Sequence, residues 1–449
     1  MSKRSLNIIL CGLALASAIS VNAQNPLIRN QFTADPSARV FGDSVYIYPS
    51  HDIKATPGHG RLDWFCMEDY HVFSSANLTD WKDHGVILSQ TKVPWADSAA
   101  YSMWAPDCIE RNGKYYFYFP ATAKANGQVR GGFAIGVAVS DHPYGPFKPL
   151  NEPIQGVRGI DPNVFIDKNG QAYLYWAQGN IYAAKLKDNM TELASPPQIL
   201  AELPEKGLKE GPYLFERNGI YYLTYPHVAN KTERLEYAMG DSPLGPFKFT
   251  GVIMDESASG CWTNHQSIAQ VKQQWLLFYH DKDLSPQFDK NRSIRADSLF
   301  FNPDGTIKKV VPSMRGVGLT SASALIQLDR YSALGGDAAV TFLDTLHKFD
   351  GWKVVLKAAP DWVRYNSVDF GKKHWKTVEV RLRTEGTGSL IIRLNSADGP
   401  VVATVAMPKI SEWKTMAFKV SLSPVGVRNL VMSLSGGANA EIDWIRFKN

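Results

Sequence analysis

Four carboxylates and one histidine stand at nearly constant distances ahead of a recurring aromatic segment. Asp35 precedes Tyr46 by 11 residues, Asp107 precedes Tyr116 by 9, Asp161 precedes Tyr173 by 12, Glu210 precedes Tyr222 by 12 and His265 precedes Leu276 by 11. Three of the acids run straight into turn chemistry: Asp35 into Pro36, Asp161 into Pro162, and Glu210 into Gly211 and Pro212. A proline there interrupts the strand ladder and turns the preceding side chain out of it. Asp alone often begins a strand as a turn cap, but recurrence at one offset argues that these groups converge. Convergent carboxyls suit hydrolysis of a glycosidic bond, in which one acid protonates the leaving oxygen and one carboxylate activates water or attacks the sugar. A third acid nearby keeps the proton donor protonated near neutral pH, because like charges held close raise one pKa.

The elements that must position them are the aromatic strands themselves. They read FGDSVYIYPS from Phe41, RNGKYYFYFP from Arg111, KNGQAYLYWA from Lys168, RNGIYYLTYP from Arg217 and KQQWLLFYHD from Lys272, with spacings of 70, 57, 49 and 54 between aligned positions. Five irregular repeats of this length predict an all-β, five-bladed β-propeller, each blade a four-stranded antiparallel sheet around a central channel. In such a ring the innermost strands begin at one mouth of the channel, so equivalent residues meet there. DHPYGPFKP from Asp141 and DSPLGPFKF from Asp241 read as turns between outer strands. A β-sandwich with repeated Asn-Gly turns is the alternative that so degenerate a repeat leaves open.

Composition agrees with a β-rich globular chain. Of 449 residues 44% are hydrophobic, 20% charged and 12% aromatic, which argues against disorder. The formal net charge of +5 is too small and scattered for a nucleic-acid partner. Lys3 and Arg4, the apolar run from Leu6 to Ile19 and the small-residue site at Val21, Asn22 and Ala23 predict a signal peptide over residues 1–23, cleaved after Ala23, and an exported protein, periplasmic or secreted. No later segment is long and apolar enough to span a bilayer. Without that leader the chain keeps Cys66, Cys108 and Cys261, at most one disulfide, and no CxxC pair that would suggest zinc.

Over residues 24–325 the sequence resembles glycoside hydrolase family 43, the five-bladed propeller enzymes that release arabinofuranose or xylose from plant polysaccharides. The likeness rests on TADPSARVFGDSVYIYPSHD from Thr33, MWAPDCIERNGKYYFYFP from Met103, GIDPNVFIDKNGQAYLYW from Gly159, EGPYLFERNGIYYLTYP from Glu210, and NHQSI followed by FNPDGTI from Phe301. It implies that Asp35 is the general base, Glu210 the general acid, and Asp161 the group that raises the pKa of Glu210 and orients it, in a single inverting displacement. It also implies Trp104 as a wall of the sugar subsite, Arg292 at the rim of the site, and His51 and Asp52 in contact with the terminal sugar. His265 becomes a candidate axial ligand for calcium or another cation, held through waters in the channel; no organic cofactor is implied. Asp107 departs from the pattern and is expected to face a turn.

Beyond a linker at 326–333 the repeat gives way, over residues 334–449, to short alternating strands: WVRYNSVDFG, KTVEVRLRT, SLIIRLNS, PVVATVAMP, KTMAFKVSL, RNLVMSLSG and EIDWIRFKN. This predicts a β-sandwich of jelly-roll type, and the ending EIDWIRF resembles a carbohydrate-binding module of family 6. Such modules hold sugar between aromatics and an amide. Trp352, Trp362, Trp375 and Trp413 are the aromatic candidates, and Glu441 or Asn439 takes the amide position. Trp444 is expected in the core.

The expectation is thus an exported, monomeric glycosidase acting on plant polysaccharide or oligosaccharide. An exo-acting α-L-arabinofuranosidase on arabinoxylan or arabinan is the leading form, a β-xylosidase or galactofuranoside-directed enzyme the alternative. The insertion from His51 to Trp104, with Trp64, Phe65 and Tyr70, favours a walled pocket. A non-catalytic carbohydrate-binding propeller is the competing class, which replacement of Asp35, Asp161 or Glu210 would favour; all three are present.

Overall fold

A computed structural model describes residues 25–125, 131–204, 206–346, 351–357 and 360–449. The predicted signal peptide lies outside the described residues. Those described form strands, with a single 3-10 turn at Gln90–Lys92 and no α-helix, and among them no helix is long and apolar enough to cross a membrane.

Four four-stranded sheets and one three-stranded sheet follow one another along the chain. Their innermost strands are Phe32–Phe41, Asp107–Arg111, Ile160–Ile166, Tyr213–Arg217 and Ser267–Val271. Each packs on the innermost strand of the next sheet, and the first packs on the last, which closes a five-bladed ring. The recurring aromatic segment is the second strand of each blade. Tyr48, Tyr118 and Tyr175, each two residues beyond an aligned position, donate their hydroxyls to carbonyls of Pro143, Met190 and Pro243 in the following blade. Between the blades lie five apolar clusters, such as the one that joins Tyr48 and Val72 to Phe117 and Phe147. The fifth blade has only three strands, and the start of the described chain lies along its open edge: Leu27 N–H donates to Ile294 O at 2.9 Å, and the Asn25 side chain brackets Ala296.

The second unit is a sandwich of two sheets over a single core that includes Val363, Val380, Ile392 and Ile442. The seven predicted strands all form. Thr320–Ser321, Ile326–Gln327 and Ala333–Gly335 also pair within these sheets, so residues expected to end the propeller and to link the units belong to the sandwich. Their pairings are two or three residues long, too short for alternation to reveal. Arg315 is buried between the units, donating to the carbonyls of Gly318 and Asn366.

Trp444 corrects the expected core position. A register slip between Arg381 and Leu382 reverses strand parity, so Asp443 and Ile445 are buried while Trp444 is half-buried beside Arg446.

Candidate active site

Asp35 and Asp161 adopt left-handed backbone, φ 47° and 57°. Each sits where the inner strand slips register against its neighbour, between Ala34 and Ser37 in the first blade and opposite Tyr175 and Ala177 in the third. Such bulges re-aim side chains, and Asp tolerates this conformation better than most residues. Both side chains line a cavity of about 110 Å³ together with Glu210 and His265. The cavity is well below the roughly 300–1,000 Å³ of a drug-sized pocket. Its walls are aromatic: Phe65 lies 5.5 Å from Trp64, 6.1 Å from Trp104 and 6.4 Å from Trp262, ring centre to ring centre. Trp104 is thus in the wall, and its buried indole N–H has no partner within the protein.

Asp35 is the most heavily restrained carboxylate. Arg292 grips both its oxygens, Nη1 to Oδ1 at 2.8 Å and Nη2 to Oδ2 at 3.2 Å, and Ser50 donates to Oδ2 at 2.6 Å. Burial alone would raise this carboxyl, but Arg292, His280, His265 and Ser50 together hold it at about 2. Asp35 is therefore ionised across the ordinary pH range. Its backbone N–H donates to His280 Nδ1 at 3.1 Å, and His280 Nε2 faces Thr263 O at 3.0 Å. Burial and Arg292 push this imidazole down to about 3, which makes it a neutral brace with its proton on Nε2.

Asp52 is fully buried and takes the other side of the same guanidinium, Arg292 Nε to Oδ2 and Nη2 to Oδ1, both at 3.0 Å. It contributes by fixing Arg292 and lies behind the cavity wall. His51, on the opposite face of that strand, turns its ring to Asp69 and does not line the cavity. The resemblance put both residues against the sugar; strand alternation sends one to the arginine and the other to the outer part of the blade.

The acid side of the cavity has the opposite electrostatics. Burial raises Asp161 well above the carboxylate range, and Glu210 and Asp35 add to the effect. Gly211 N–H donates to Asp161 Oδ2 at 3.0 Å. Glu210 is also raised, chiefly by burial. A fourth carboxyl, absent from the repeat, completes the set. Glu233 is fully buried at the start of the strand Glu233–Gly240, accepts Asn264 N–H at 2.7 Å, and hydrogen-bonds the Glu210 carboxyl. Burial and Glu210 raise it well above the usual range. Asp161, Glu210 and Glu233 thus titrate as one coupled set that retains protons where an isolated carboxylic acid would not.

Asp107 corrects the expected turn role. It accepts Ser37 Oγ at 2.5 Å, Arg39 Nε at 2.9 Å, Asn163 Nδ2 at 3.0 Å and Val164 N–H at 2.7 Å, a buried hub that ties the first three inner strands together.

His265 lines the cavity, its Nδ1 3.9 Å from Asp35 Oδ1, and burial keeps it neutral by lowering its pKa. The next residue, Gln266, has a buried side-chain oxygen without a partner. Two donors fall far short of the six to eight oxygens calcium takes. Among the described residues no three ligand atoms of His, Cys, Asp or Glu come within 4.8 Å of one another here. The protein alone does not make a calcium cage at this point.

A propeller whose channel mouth pairs an ionised carboxylate with a protonated set defines an acid–base hydrolase of glycosidic bonds. The sequence profile of glycosyl hydrolases family 43 matches residues 23–307, and the chain belongs to that family and is a glycoside hydrolase. The profile of carbohydrate binding module family 6 matches residues 338–449. A xylosidase/arabinosidase of Humicola insolens is 38% identical over 63% of this chain and 98% of its own. Among solved structures, a β-xylosidase/α-arabinofuranosidase from a compost metagenome, in complex with xylotriose and in a calcium-free form, superposes with a TM-score of 0.57 at 36% identity, covering 64% of this chain and 97% of its own. An arabinoxylan arabinofuranohydrolase from Bacillus subtilis, bound to cellotetraose, covers 95% of this chain and 98% of its own with a TM-score of 0.55 at 25% identity.

Proposed function

We propose that the protein is an exported, exo-acting inverting glycosidase that removes single terminal pentoses, α-L-arabinofuranose foremost, from arabinoxylan or arabinan. Glu210 carries this reading. It lines both the small aromatic cavity and an adjoining, more open one of about 350 Å³ bounded by Phe133, Arg158, Gln178 and Leu208. A proton donor at such a junction serves a bond whose terminal sugar fills the first space and whose leaving chain occupies the second.

Asp35, held anionic by Arg292, takes a proton from water on one face of the sugar, while Glu210 gives its proton to the departing oxygen on the other. Asp161 holds Gly211, the residue next to Glu210, and its own raised pKa limits the negative charge around the donor. Trp104 and Phe65 supply faces for the sugar ring. A cation in the channel would rest on His265 and on water; no step here requires one.

Release of β-xylose is the second reading, supported by the relative with both activities and by the neighbour bound to xylotriose. Nitrophenyl arabinofuranoside, xyloside and galactofuranoside, followed by arabinoxylan and arabinan, separate the readings by which monosaccharide appears. A folded protein that releases sugar from none of them would overturn both and leave a carbohydrate-binding propeller.

A further inference from the structure

Outside the catalytic cavity, the first blade brings together two imidazoles and a carboxylate that no catalytic step uses. His51 lies near the end of the strand Ser44–Asp52, and Asp69 and His71 lie two residues apart at the start of Asp69–Ser75, on one face of the sheet. His51 Nδ1 stands 2.7 Å from Asp69 Oδ1, the rings of His51 and His71 meet edge to face at 4.9 Å, and one donor atom from each of the three residues falls within 4.8 Å of the others. All three side chains are partly open to water, at 18%, 15% and 15% exposure.

The orientation of His71 is set from behind. Its Nδ1 is bonded to Asp83, 3.0 Å from Oδ1, and Asp83 is itself fixed by Gln31 Nε2 at 3.0 Å and Gly85 N–H at 2.7 Å. Among the described residues His71 Nε2 has no hydrogen-bond partner, and the His71 ring stands beside that of His51. A carboxylate behind a histidine is the usual outer support of a metal-binding imidazole, fixing the tautomer and raising basicity. Two nitrogens and one carboxylate oxygen suit zinc, cobalt or nickel rather than calcium or magnesium, which favour oxygen. Water would complete a tetrahedral shell.

We propose that His51, Asp69 and His71 form a binding site for one divalent transition-metal ion, with Asp83 as the support of His71. The ion displaces the proton shared between His51 and Asp69. It sits one residue along the strand from Asp52, so it braces the segment that fixes Arg292 without entering the catalytic cavity.

The test uses the full mature chain without an affinity tag, stripped with chelator and titrated calorimetrically with ZnCl₂, then with CoCl₂ while visible absorption is followed. One zinc per chain is expected, with micromolar or tighter affinity, a cobalt ligand-field band and a raised melting temperature. His71→Ala should abolish all three signals, and Asp69→Asn, which preserves shape, should weaken zinc binding at least tenfold if the alanine variant does not fold. His265→Ala should leave the stoichiometry unchanged. Absence of zinc binding would overturn the proposal and leave two hydrogen-bonded His–Asp pairs, as would binding that survives Asp69→Asn and His71→Ala or disappears with His265→Ala.

Discussion

The buried carboxyl of Glu233 hydrogen-bonds the carboxyl of Glu210, so one of the two must carry a proton. Burial raises both carboxyls, and Glu233, fully buried and lining neither cavity, is the partner expected to stay protonated and donate to Glu210. Glu233→Gln keeps an N–H donor for Glu210 and an oxygen for Asn264 N–H. It should retain most turnover and leave the basic limb of the pH–rate profile in place. Glu233→Ala removes both, which should move that limb upward and cost about 1–3 kcal/mol for the stranded amide. Were Glu233 instead an anion, the glutamine variant would shift the basic limb downward, which a kcat/KM profile against pH detects.

Asp35→Asn and Glu210→Gln should each lower kcat by about 10²–10⁴, the usual contribution of a general base or acid. Asp35→Asn should still fold, because Arg292 keeps Asp52 as a buried counter-charge. Turnover of nitrophenyl pentosides alongside thermal melting separates lost chemistry from lost structure. Near-normal rates in either folded variant would refute the roles assigned to these residues.

The pH dependence of stability divides by sign. Asp35 is depressed to about 2, so it contributes stability above its unfolded pKa and loses it only as pH falls toward that value. Asp161, Glu210 and Glu233 are raised, so each destabilises the fold once ionised and ceases to do so on protonation. Melting temperature should therefore rise on mild acidification from neutral pH through this site, and the acid limb of kcat/KM should not reflect Asp35 above about pH 3. Arg292→Ala leaves Asp35 and Asp52 buried without their cation. It should cost about 3–5 kcal/mol and bring a base pKa into the measurable acid range.

Legibility followed repetition. Asp35, Asp161 and Glu210 stand at one offset in a recurring unit, so their convergence could be read without coordinates, and the propeller and seven sandwich strands follow from the same periodicities. Glu233 begins a third strand where no repeat marks it, and its importance comes from touching Glu210 across the blade. His280 looks like another polar residue at the end of an aromatic strand; only the fold brings its Nδ1 under Asp35 N–H. His51 and Asp52 are adjacent in sequence and diverge in space because strand residues alternate. Asp107 stands nine residues ahead of its aromatic position rather than eleven or twelve, and it stays out of the cavity, where Arg39 from the neighbouring inner strand claims it.

That last contrast makes Asp107 a control for the active site. Its carboxylate answers the largely buried Arg39 and closes hydrogen bonds from Ser37, Asn163 and Val164, all between inner strands. Asp107→Ala would leave the guanidinium without its counter-charge and strand several donors, at a cost of about 3–5 kcal/mol. Asp107→Asn retains acceptors but loses the charge and should cost less. Neither touches the sugar cavity, so KM and kcat per folded molecule should stay near normal below the melting transition, whereas Asp35→Asn should lose rate with its fold intact. Chemical denaturation with activity measured at matched folded fraction distinguishes the two. A folded Asp107→Asn enzyme with a hundredfold loss in kcat would instead place this carboxylate among the groups that act on the substrate.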